Sequence, residues 1–75
     1  MRNPNRIPNL TGLFQTYWMT VGTDLRFGQV LELTAQDYAE CHDCEKPSDF
    51  FYIEDERWGT ALVYGLNKRG VVVDD

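Results

Sequence analysis

The spacing of apolar residues predicts three helices in this chain. In the first segment they recur every three or four residues, as one buried helix face requires. These positions are Leu10, Leu13, Phe14, Tyr17, Trp18 and Val21. Asn5 can cap this helix and Pro8 is tolerated in its opening turn, where the missing amide proton has no helical partner. Gly22 is the predicted stop, in the left-handed cap conformation.

The second segment, DLRFGQVLEL at residues 24–33, is the predicted centre of the fold. Thr23 or Asp24 can cap a helix that runs to Ala39 or Cys41, antiparallel to the first after a short break. Gly28 costs a helix up to about 1 kcal/mol against Ala, so we expect another backbone to approach closely there. The predicted buried face comprises Phe27, Val30, Leu31, Thr34 and Tyr38.

The remaining chain predicts a polar loop at residues 42–49, an extended apolar segment at 50–53 and a third helix. That helix would bury Trp58, Ala61, Leu62 and Leu66. The rival interpretation pairs residues 61–64 with 71–73 as a β-hairpin. The predicted fold class is thus a mainly α, single small domain over residues 1–75, with three helices and an uncertain C-terminal tail. Its expected core is Leu10, Phe14, Tyr17, Val30, Leu31 and Leu62.

The charge of the chain is unevenly distributed. The net charge is −5, and residues 24–56 hold ten acids against two bases. Phosphate-backbone binding needs clustered Lys and Arg, so this distribution argues against direct nucleic-acid binding and favours a basic protein partner. The alternative is a solvated acidic surface that maintains solubility. No apolar run is long enough to cross a bilayer and no signal peptide is recognisable, so the expected location is cytoplasmic.

Three motifs together resemble a family of short uncharacterised proteins of bacteria and their phages. They are Asn5-Arg6-Ile7-Pro8, Asp24-Leu25-Arg26-Phe27-Gly28-Gln29 and Phe51-Tyr52-Ile53-Glu54-Asp55. The resemblance covers roughly residues 2–58. The chain departs from the family pattern at Thr23, where Pro is usual, and in its Cys-containing loop. The resemblance implies a helical fold and a phage or prophage origin, and it transfers no catalytic residue.

The sharpest chemical motif is Cys41-His42-Asp43-Cys44. A C-x-x-C pair can supply two ligands of a tetrahedral zinc site, with His42 as a third. Adjacent residues seldom reach one metal, however, and no second Cys or His pair exists in the sequence. We therefore predict two free cysteines, no metal and no cofactor. A dimer that shares zinc through Cys41 and Cys44 of each copy is the alternative.

The acidic run Glu54-Asp55-Glu56, beside Asp49, is the other candidate for chemistry. Acid–base catalysis needs carboxyl groups in different environments, whereas consecutive solvated acids are typical of a helix N-terminus. No known catalytic motif is present, so an enzyme using Glu54 or Asp55 is the weakest hypothesis. Arg26 is expected to pair with one of these acids, and Gln29 with a backbone group in the 50–53 segment.

The sequence thus predicts a small acidic protein-interaction module, phage-encoded, that binds and inhibits a host protein. If that protein binds nucleic acid, the acids would compete by imitating phosphate charge. Trp58 beside Arg57 is the expected contact hot spot, because both residue types are enriched at such positions. Self-association into a homodimer is a further expectation. The predicted partner-binding residues are Glu40, Glu45, Asp49, Glu54, Asp55, Glu56, Arg57 and Trp58.

Overall fold

The computed structural model describes residues 4–47 and 53–73. These residues form three α-helices: α1 over Arg6–Val21, α2 over Phe27–His42 and α3 over Asp55–Lys68. The predicted mainly α fold is confirmed. The alternative hairpin is wrong, because α3 runs through residues 61–64, and residues 71–73 form no strand. The extended segment predicted at 50–53 lies, apart from Ile53, outside the described residues.

α3, rather than the segment 24–33, is the helix on which the other two pack. Both α1 and α2 pack mainly against α3 and contact each other less. The connection between them is longer than predicted, since α1 ends at Val21 and α2 begins only at Phe27. This connection lets the two helices diverge, and α3 then supplies the surface that each of them buries.

The core takes residues from all three helices. Tyr17, Val30, Leu62 and Leu66 are buried together, and Leu10 and Phe14 pack against them while partly exposed. Fully burying one such side chain contributes about 1.5–3 kcal/mol, so this small cluster supplies much of the stability of the domain. Of the six predicted core residues, only Leu31 lies outside both groups. It is half-buried on the side of α2 that faces a groove.

The ends of α1 and α2 differ in detail from the prediction. α2 begins after Arg26, not after Thr23 or Asp24, because the chain first makes a turn in which the amide of Leu25 donates to the carbonyl of Gly22 at 3.2 Å. The amide of Arg26 then donates to Oε1 of Gln29 at 2.8 Å. Gln29 thus caps its own helix, and the 50–53 segment to which its bond was predicted lies, apart from Ile53, outside the described residues.

Gly22 ends α1 as predicted, and its amide donates to the carbonyl of Trp18 at 3.1 Å. Its φ of 159° is close to extended backbone, so the predicted left-handed cap is wrong. Asn5 takes the predicted N-cap position without a side-chain capping bond. The left-handed cap occurs at α2 instead, where Asp43 has φ 51°.

The close approach expected at Gly28 occurs at a different glycine. Gly28 is exposed, and a Cβ atom there would meet nothing within 4 Å. A Cβ atom on Gly65 would lie 2.5 Å from Oδ2 of Asp37 and 2.7 Å from Cε2 of Tyr17. Position 65 of α3 therefore requires glycine, because all three helices meet there and leave no room for a side chain.

Candidate protein-interaction surface

One buried carboxylate ties the three helices together. Asp37 of α2 is only 2% exposed. It accepts a hydrogen bond from the hydroxyl of Tyr17 in α1 at 2.5 Å. Nζ of Lys68 lies 2.7 Å from its Oδ1, and Nη1 of Arg69 lies 2.8 Å from its Oδ2. Arg69 also donates to the carbonyl of Gly65 at 2.7 Å, which fixes the guanidinium over the end of α3.

Burial and bonding act in opposite directions on this carboxylate. Burial alone would raise the pKa of Asp37, but the hydrogen bonds from Lys68, Tyr17 and Arg69 outweigh it and hold the pKa below its ordinary value. Burial, followed by the bond to Asp37, raises the pKa of the Tyr17 phenol. At neutral pH the cluster is therefore a carboxylate held by a neutral phenol and two cations. Its bonds serve to join the helices, so we interpret it as structural.

An apolar groove opens between α1 and α2, with α3 as its floor. Its volume is about 370 Å³. Trp58, half-buried, lies in this groove, so the predicted hot spot belongs to an apolar surface rather than to the acidic run beside it. We call this surface the α1–α2 groove. Its lining residues are Leu10, Thr11, Phe14, Phe27, Leu31, Thr34, Trp58 and Leu62.

Three aromatic rings form one wall of this groove and continue past it. The ring centroids of Phe14 and Phe27 are 5.7 Å apart, and those of Trp18 and Phe27 are 5.6 Å apart. Phe27 is nevertheless 54% exposed, although its spacing had predicted a core residue. The later start of α2 explains this result, because Phe27 stands in its first turn at the edge of the core.

A second hollow lies on the outer side of these rings. Its volume is about 400 Å³, and its edge carries Met19, which is 64% exposed. We call it the α1 hollow. The apolar spacing did not predict this hollow, although the run of residues 7–23 without a charged side chain was a readable signal. Its lining residues are Thr11, Phe14, Gln15, Trp18, Met19, Thr23 and Phe27.

Trp58 and Arg57 both contact Tyr38 of α2. The Tyr38 and Trp58 centroids are 5.1 Å apart, and the Arg57 guanidinium lies 5.6 Å from the Tyr38 centroid. The ring centroids of His42 and Tyr38 are 4.6 Å apart. Nε2 of His42 lies 3.1 Å from the carbonyl oxygen of Arg57. The predicted hot-spot pair is therefore held in place by α2, with Trp58 turned toward the groove.

Ion pairs between described residues hold Glu40 and Asp55, which were both predicted to bind a partner. Glu40 lies 3.2 Å from Nζ of Lys68 and accepts a bond from the Tyr64 hydroxyl at 3.1 Å. Asp55 pairs with Nε of Arg6 at 2.7 Å. The cation that ties the start of α3 is thus Arg6 and not Arg26, because α3 begins near the N-terminal end of α1 and α2 begins near its C-terminal end.

The other predicted acids are placed differently. Glu45, Glu54 and Glu56 are exposed, and the last two flank the start of α3 together with Asp55. Carboxylates at this position interact favourably with the positive end of the helix dipole. Asp49 lies outside the described residues. These exposed acids therefore border the loop after α2 and the first turn of α3, where Glu54 and Glu56 line a hollow together with residues of α1.

The two cysteines do not form a metal site with other described residues. Both are free, and Sγ of Cys41 lies 4.0 Å from the carbonyl oxygen of Thr60. Cys44 is exposed beyond the end of α2. Within residues 4–47 and 53–73 no group of three or more His, Cys, Asp or Glu side chains could hold a metal ion. Nor is any helix in those ranges long and apolar enough to cross a membrane.

The comparisons with known proteins give no family for this chain. No family model, no curated protein and no solved structure matches it. The resemblance to short bacterial and phage proteins therefore stays a prediction, and the interpretation of the site depends on its geometry.

Proposed function

We propose that this protein is an acidic interaction module whose α1–α2 groove binds an amphipathic helix with basic residues. The observation that supports this proposal most directly is the groove itself, which is apolar along its lining and open between two helices. Amphipathic helices bind in such grooves by inserting side chains at positions i, i+3, i+4 and i+7. Trp58 is the central anchor, since buried Trp residues dominate the energy of many interfaces.

The size of the groove limits what can bind in it. A cavity of about 150 Å³ accommodates one benzene ring, so the groove of about 370 Å³ has room for about two apolar side chains. Two anchors one turn apart match an i, i+4 pair on a helix. We therefore expect the groove to bind its partner helix with modest affinity. The charged residues around the groove would mainly accelerate association.

Charge complementarity indicates a basic partner. None of the described residues that line the groove is charged, but Asp24 precedes Phe27 by three residues and Glu54 precedes Trp58 by one helical turn. Exposed carboxylates thus stand near residues on both sides of the groove, in a chain of net charge −5. Such a field accelerates the approach of a cationic helix and is screened by salt. If the partner is a host protein that binds nucleic acid, this protein would inhibit it by competing with the nucleic acid for the basic surface.

The test uses a synthetic Leu/Lys helix with Leu at i, i+3, i+4 and i+7. The control peptides are a Leu/Glu helix of the same pattern and a scrambled Leu/Lys sequence. We expect only the patterned Leu/Lys peptide to bind with a change in Trp fluorescence, and its affinity should fall as salt rises. Glu45→Lys combined with Glu56→Lys should slow association, since neither glutamate makes an ion pair within the described part of the chain.

Variants of the groove separate specific binding from simple attraction of charges. Trp58→Phe should remove most of the fluorescence change, and Leu31→Lys should abolish binding because it places a cation in the apolar lining. If Leu31→Lys destabilises the domain, Leu31→Gln at the same half-buried position provides the second measurement. Equal binding of the patterned and scrambled peptides would refute the groove as the site.

A further inference from the structure

We draw no further inference here: the strongest candidate, the α1 hollow, shares part of its lining with the α1–α2 groove and has one exposed acid, Asp24, and one exposed base, Arg26, beside it in the chain, so nothing in the structure shows what covers it.

Discussion

Replacing Gly65 with alanine should destabilise this domain, although alanine is the better helix former. The new Cβ atom would lie 2.5 Å from Oδ2 of Asp37 and 2.7 Å from Cε2 of Tyr17. Neither neighbour can move freely. The Tyr17 ring is fully buried, and the Asp37 carboxylate is fixed by bonds to Tyr17, Lys68 and Arg69.

The change in the free energy of unfolding caused by Gly65→Ala combines one favourable and two unfavourable contributions. Alanine gains up to about 1 kcal/mol over glycine in a helix. Forcing a methyl group into a packed site costs about 1–3 kcal/mol. Displacing Asp37 also weakens hydrogen bonds to charged groups, which contribute about 1.5–3 kcal/mol each. We expect a net loss of about 1–3 kcal/mol, and each kcal/mol lowers the Tm of a domain of this size by about 4–8 °C.

Gly28→Ala is the matched control, because a Cβ atom there meets nothing within 4 Å. It should be neutral or stabilising by up to about 1 kcal/mol. Urea unfolding of both variants, followed by far-UV circular dichroism at low protein concentration, gives the two free energies. A Gly65→Ala variant as stable as Gly28→Ala would refute the packing of Asp37 and Tyr17 against α3.

Two further predictions concern the buried carboxylate and the cysteines. The pKa of Asp37 is lower in the folded protein than in the unfolded chain, where it is about 3.9. The ionised carboxylate therefore contributes fully to the free energy of unfolding above a pH of about 3.9, and this contribution is lost as the pH falls through the folded-state pKa. Unfolding free energies measured from pH 7 to pH 2 should therefore fall at acid pH in the wild type. Asp37→Asn should be less stable at pH 7 and should flatten this decline, and an unchanged acid decline would contradict the assignment. Purified protein should contain no stoichiometric zinc by elemental analysis, and the double variant Cys41→Ser, Cys44→Ser should unfold with an unchanged midpoint. One zinc per two chains would instead support the shared-metal dimer.

Apolar spacing was sufficient to predict the three helices because each buries one continuous face. It could not predict which helix lies in the middle. That arrangement depends on the length of the connection before Phe27 and on Gly65, whose role is apparent only when Asp37 and Tyr17 are in place beside it. Spacing drew attention to Gly28 instead, since local sequence does not distinguish an open helix position from a crowded one.

The candidate surface was predictable only in part for a similar reason. Trp58 was identified by residue type, and it does lie in an apolar groove. The acids around it were grouped by their order in the chain, but folding separates them: Glu40 joins Lys68, Asp55 joins Arg6, and Glu45 stays exposed. Charge counted along a sequence therefore overstated the acidic surface that is free to attract a partner.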